Sequence, residues 1–153
     1  MMIKLKLKKN AKKVDKFLLK FLKKQKKSLL ITPMKYGIVS GGKKIRSTII
    51  FDTGKMLKVE EKKLLSICTA VECIHSYSLI HDDLPCMDND LMRRGKPSTH
   101  KKFGEATAVL AGNSLLTLAF EIISDKKNLF SDVQKSEIIY LLANCSGHTG
   151  IAG

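Results

Sequence analysis

Tryptophan is absent from the 153 residues, and aromatic residues make up only 6%. A stacking platform for single-stranded nucleic acid therefore has little to work with. The four cysteines, at positions 68, 73, 86 and 145, form no C-x-x-C pair, so zinc-ribbon spacing is missing. Cys73, His75, His81 and Cys86 are close in sequence but match no metal-binding pattern. Free thiols in a reducing, cytoplasmic setting are the expectation. The opening MMIKLKLKKNAKK lacks the unbroken apolar stretch of a secretory signal. The longest apolar run, 106–123, contains Asn113 and Glu121. It reads as a buried core helix, so no stable membrane insertion is expected. Few runs alternate with period two, the short Ile3, Leu5 and Leu7 being one, and no internal repeat is visible.

Lysine is what the chain has in abundance. Lysine and arginine total 28 against 14 acids, a formal net charge of +14. Such an excess suits a solvated surface, a phosphorylated small molecule, an anionic membrane or nucleic acid. With 44% hydrophobic residues the chain can build a real core. Val14, Phe17, Leu18, Phe21 and Leu22 make one apolar stripe among lysines, an outer helix docked on a helical core. Thr32-Pro33 suggests a helix start, with threonine as cap. Gly41-Gly42 breaks that helix, and further helices are expected over 43–57, 60–83, 103–124 and 131–146. Pro97 closes a loop that Gly95 helps to form. The class is all-α. A basic amphipathic region over 1–28 precedes the remainder, 29–153.

Two stretches carry chemistry. In YGIVSGGKKIRS, Gly37 and Gly42-Lys43 approximate a phosphate loop, but Lys44 stands where serine or threonine would hold magnesium. Two glycines still permit a sharp turn close to a ligand. Lys43 and Arg46, three apart, would share a face of the first turn of the next helix, a good diphosphate site.

In IHDDLPCMDNDLMRRG, four aspartates precede two arginines. Pro85 should end the long helix near Leu84. Asp88 lies six residues past Asp82, about 240° round an ideal helix axis. Asp82, Asp83 and Asp88 therefore converge only if the chain folds back. Converging carboxylates need neutralising, and hard oxygen donors with open positions suit Mg²⁺. Arg93 and Arg94 would then grip phosphates directly. His75 lies seven residues before Asp82, about 20° from alignment and two turns deeper.

GGKKIRS resembles the G-G-K-R-x-R-P motif of the bacterial-type trans-prenyl diphosphate synthases, the farnesyl and geranylgeranyl diphosphate synthase family. HDDLPCMDNDLMRRGKPSTH resembles that family's first aspartate-rich motif, D-D-x-x-x-x-D, followed by R-R-G-x-P. VECIHSYSLIHDD and FGEATAVLAGNSLLTLAFEII are similar to it as well, so the likeness runs from about Met34 to Gly153. The resemblance implies long helices around a central cavity (the isoprenoid synthase fold), usually in a homodimer. It implies condensation of isopentenyl diphosphate with dimethylallyl or geranyl diphosphate. By motif position Lys43, Arg46, His75 and Arg94 would bind isopentenyl diphosphate. Asp82, Asp83 and Asp88 would bind Mg²⁺, and Arg93 would hold the allylic diphosphate. Tyr77 and Ser78 occupy the family's chain-length positions, and a tyrosine there favours farnesyl over geranylgeranyl diphosphate.

Lys44 replaces the usual arginine, Ser47 a proline and Leu91 an acidic residue. The family's second aspartate-rich motif does not occur, and Gly147 to Gly153 resembles the middle of a family helix. The expectation is the N-terminal half of a synthase, with exposed core surface and little activity by itself. A non-catalytic half-synthase subunit is the second reading. A basic nucleic-acid or membrane-surface module is the third, marked by steep salt dependence.

Overall fold

The structure, a computed structural model, describes residues 2–39 and 41–152. Seven helices and one small hairpin occur among them: α1 Met2–Leu22, α2 Ile31–Val39, α3 Ile45–Met56, α4 Glu61–Asp82, β1 Met92–Arg93, β2 Lys96–Pro97, α5 Thr99–Phe103, α6 Glu105–Ser124 and α7 Asp132–Ser146. The all-α expectation holds.

Helix α4 runs through the centre against α6, with α1, α2 and α3 around them. By length and composition α4 and α6 could each cross a membrane. Here they supply the core: Ala70, Cys73 and Ile74 on α4 meet Ala108, Ala111, Leu115, Ala119 and Ile122 on α6, all buried. Small side chains on α6 let the axes approach. Each fully buried leucine or isoleucine contributes about 1.5–3 kcal/mol by leaving water. A second cluster joins Val14 of α1, Phe51 of α3, and Leu64 and Cys68 of α4. The α3–α4 crossing is close at Gly54, where a Cβ would lie 2.1 Å from Leu64 Cδ2. Burial pushes the Cys68 and Cys73 thiols up to about 12, so neither is a reactive thiolate at neutral pH.

Several boundaries differ from the sequence reading. The alternating Ile3, Leu5 and Leu7 lie within α1, where Ile3 and Leu5 are exposed. Thr32 is not a cap: α2 already includes Ile31, and the Leu30 N–H donates to Ser28 Oγ at 3.2 Å. Lys43 precedes α3 rather than standing in its first turn. Gly104, at φ +86°, separates α5 from α6 within the single helix expected over 103–124. Ser131 does start α7: it accepts from the Gln134 N–H while Gln134 accepts from the Ser131 N–H, a capping box. Helix α7 ends at Ser146, and 147–152 follow as a bend and turns; Gly153 lies outside the described residues. No α7 residue is buried, and Val133, Tyr140 and Leu141 stand exposed.

Candidate active site

The glycine-lysine turn depends on backbone freedom. Gly41 and Gly42 take φ of +98° and +108°, which side-chain-bearing residues rarely adopt. Gly42 also makes room for the Arg94 guanidinium, since a Cβ there would lie 2.4 Å from Arg94 Nη1. That nitrogen donates to the Gly41 carbonyl. Arg94 is delivered by the β1–β2 hairpin, in which Met92 faces Pro97 and Arg93 faces Lys96. Arg94 and Gly95 are its two central residues, with φ of +53° and +75°. Positive φ at both places defines a turn whose twist matches the strands. Arg93 ends β1 and reaches Asp83, whereas Arg94 in the turn reaches Gly41, so the hairpin separates the two adjacent arginines. The carbonyl of Pro97 accepts from Tyr36 Oη at 2.7 Å, tying the hairpin to α2.

Lys43, Arg46, His75 and Arg94 thus line one cleft of about 480 Å³, together with Gly41, Gly42, Lys44 and Glu72. Arg46 Nη1 lies 3.4 Å from His75 Nε2. Burial first, and then the Arg46 charge, hold the His75 pKa below its ordinary value. The cleft is cationic, and Glu72 is the acid in its lining. Glu72 Oε1 accepts from Ser47 Oγ at 2.8 Å, and its Oε2 lies 3.8 Å from Lys44 Nζ.

At the end of α4 the chain does reverse. The Leu84 N–H donates to the His81 carbonyl, and the Met87 and Asn89 N–H groups donate to Leu84. The Asp88 N–H donates to the Asp82 carbonyl at 2.9 Å. The fold-back that convergence required is therefore present in the backbone. The side chains divide. Asp83 is 1% exposed, and both its oxygens accept from Arg93 Nε at 2.8 Å, with Arg93 Nη2 also on Oδ1. This pairing, more than any other contact, raises the Arg93 pKa. Asp82 is half-buried and Asp88 exposed. Among the described residues neither carboxylate has a salt-bridge partner, and no three acidic, histidine or cysteine side chains gather at metal-ligating reach.

Tyr77 packs edge-on against His81 at 4.7 Å between ring centres, and Ser78 Oγ donates to the His75 carbonyl at 3.0 Å. His81 Nε2 lies 3.1 Å from the Val109 carbonyl, over Gly112. Sequence reasoning missed Glu72 and Lys44 as parts of the cleft. Glu72 had a signal: it is the one acid between Leu64 and Ile80 on α4, three residues before His75. Lys44 had none, because it sits in a lysine-rich chain whose other lysines mostly face water.

This arrangement, an all-α bundle with a cationic cleft beside an acidic helix end, is the isoprenoid synthase fold. The geranyltransferase of Legionella pneumophila superposes with a TM-score of 0.92 at 38% identity, covering 97% of this chain and 53% of that one. The polyprenyl synthetase family model matches residues 27–150, and the chain belongs to that family. The farnesyl diphosphate synthase of Buchnera aphidicola subsp. Acyrthosiphon pisum is 49% identical over 127 residues, 83% of this chain and 44% of the relative. That of Escherichia coli is 49% identical over 125 residues, 81% of this chain and 42% of the relative. The chain spans less than half the length of these curated relatives.

Proposed function

We propose that this chain is the N-terminal half of a prenyltransferase that joins isopentenyl diphosphate to dimethylallyl or geranyl diphosphate, giving farnesyl diphosphate. It would work in the cytoplasm and, in full-length form, as a homodimer. Residues 29–153 form the synthase portion, and 1–28 the basic region before it. The reading is carried by the reversal that sets the Asp88 N–H on the Asp82 carbonyl. It returns the Asp88 backbone to the end of α4, which supports a shared role for the Asp82 and Asp88 carboxylates.

The donor set fits a divalent cation in part. Asp82 and Asp88 offer hard oxygens, and Mg²⁺ typically takes one or two carboxylates together with phosphate oxygens. Asp83, engaged by Arg93, serves the site in this structure through that arginine. When bound, Mg²⁺ would neutralise charge on the departing diphosphate. Arg93 turns Nε and Nη2 toward Asp83, which leaves Nη1 for an allylic phosphate oxygen. Lys43, Arg46 and Arg94 hold the diphosphate of the isopentenyl substrate, with His75 at the cleft wall. In the reaction the allylic C–O bond breaks and its electron pair leaves with the diphosphate. The isopentenyl π pair forms the new C–C bond, and loss of a proton restores a double bond. Positioned positive charge in a dry site does most of this work, and one such donor is worth about 3 kcal/mol, about a hundredfold in rate. Tyr77 would stop the growing tail at the farnesyl length, with Ser78 beside it; geranylgeranyl diphosphate is the alternative product.

The test is incorporation of isopentenyl diphosphate into longer prenyl diphosphates, by this chain alone and by this chain fused to the C-terminal half of the Escherichia coli relative. Magnesium-dependent product from the fusion, abolished by Asp82→Ala, is the expected result. A well-folded fusion that makes no product contradicts the proposal.

A further inference from the structure

Lys44 departs from its neighbours. Lys43 and Arg46 are exposed, whereas Lys44 is 8% exposed and has a left-handed backbone, φ 43° and ψ 54°. That conformation turns one side chain of the segment inward while its neighbours face the cleft. The inward ammonium donates one hydrogen bond, to Ile38, and lies within ion-pair reach of two carboxylates on two other elements, of which Asp15 Oδ1 accepts no hydrogen bond. Asp15 Oδ1 of α1 lies at 3.2 Å, the Ile38 carbonyl of α2 at 3.2 Å, and Glu72 Oε2 of α4 at 3.8 Å. Glu72 in turn accepts from Ser47 in the first turn of α3. A buried ammonium is tolerated only when so paired. The pairing fixes the turn between α2 and α3 from both sides.

We infer that Lys44 is a positioning residue for the diphosphate cleft: its buried contacts to Asp15, Ile38 and Glu72 hold the 41–46 turn so that Lys43 and Arg46 face the ligand. The inference rests on the cleft being a diphosphate site. It also gives the basic N-terminal helix a role, since Asp15 makes α1 one wall of the device. Because coupling is reciprocal, a diphosphate that orders the turn must also tighten α1.

The probe is inorganic pyrophosphate with EDTA present, which isolates the cationic cleft from any metal bound at the aspartates. Titration calorimetry on the 153-residue chain compares the unaltered protein with Lys44→Met, Lys44→Arg and Asp15→Asn. Lys44→Met should weaken binding by about tenfold or more, Lys44→Arg should restore most of it, and Asp15→Asn should weaken it by a smaller factor. Hydrogen exchange should show pyrophosphate slowing amides around Asp15 in the unaltered protein. Equal affinity in folded Lys44→Met and unaltered protein, with only a lower melting temperature, would overturn the positioning role while leaving the cleft intact. If Lys44→Met does not fold, unchanged affinity in Asp15→Asn together with no slowing around Asp15 overturns it. No pyrophosphate binding by the unaltered chain would instead sink the diphosphate reading itself, and this inference with it.

Discussion

Arg93→Ala should destabilise the protein strongly, for a reason unrelated to any substrate. Asp83 is 1% exposed, and its carboxylate is satisfied by the Arg93 guanidinium, with Nε 2.8 Å from each oxygen. Removing the arginine leaves a buried charge with no partner on that side, at a typical cost of 3–5 kcal/mol. The Arg93 side chain is itself 28% exposed, so water can enter part of the gap, and about 3 kcal/mol is the better figure. In a chain of this size that lowers the melting temperature by about 6–12 °C. The assay is urea unfolding followed by far-UV circular dichroism, without metal or diphosphate, on Arg93→Ala, Asp83→Asn and the double variant. If the two side chains stabilise each other, the double variant loses about 2 kcal/mol less than the sum of the single losses. A change within about 0.5 kcal/mol for Arg93→Ala, or simple additivity, would refute the assignment of Asp83 and Arg93 as a buried pair.

Gly42→Ala places a methyl 2.4 Å from Arg94 Nη1 at a φ of +108°. Both glycines would incur backbone strain of about 1–3 kcal/mol, but only Gly42→Ala also displaces Arg94, so it should weaken pyrophosphate binding more than Gly41→Ala, where a Cβ meets nothing within 4 Å; equal effects from both changes would count against the Arg94 contact. The depressed His75 pKa sets a sign for acid sensitivity. The unfolded chain takes up this proton before the folded one does, so its contribution to stability is present above the unfolded value and is lost as pH falls toward the folded value. His75→Gln should therefore lose less stability than the unaltered protein between neutral pH and about pH 5.5, and parallel unfolding curves at both pH values would contradict that.

The helices were legible because apolar side chains recur with helical spacing and α7 starts with Ser131 and Gln134 in register for a capping box. The end of α4 was legible from Pro85, which stops the helix on its preceding turn. The hairpin was not, since two-residue strands leave no periodicity and an arginine is an unusual occupant of a positive-φ turn position. The family resemblance grouped Lys43, Arg46, His75 and Arg94, which line one cleft. It could not divide the acidic cluster. Which aspartate turns inward depends on a ten-residue excursion from Asp83 to Arg93, and only three-dimensional closure decides that. Lys44 stayed hidden for a similar reason: its partners lie 29 residues before it, on Asp15, and 28 after it, on Glu72.

The most direct measurement is calorimetric binding of geranyl diphosphate to the chain with Mg²⁺ and with EDTA, for the unaltered protein and Asp88→Ala. Magnesium should strengthen binding by about tenfold or more, about 1.4 kcal/mol, and Asp88→Ala should remove that gain while leaving the EDTA affinity unchanged. Equal affinity with and without magnesium, or a gain that survives Asp88→Ala, would contradict a divalent-cation site formed by Asp82 and Asp88 where the chain folds back on α4.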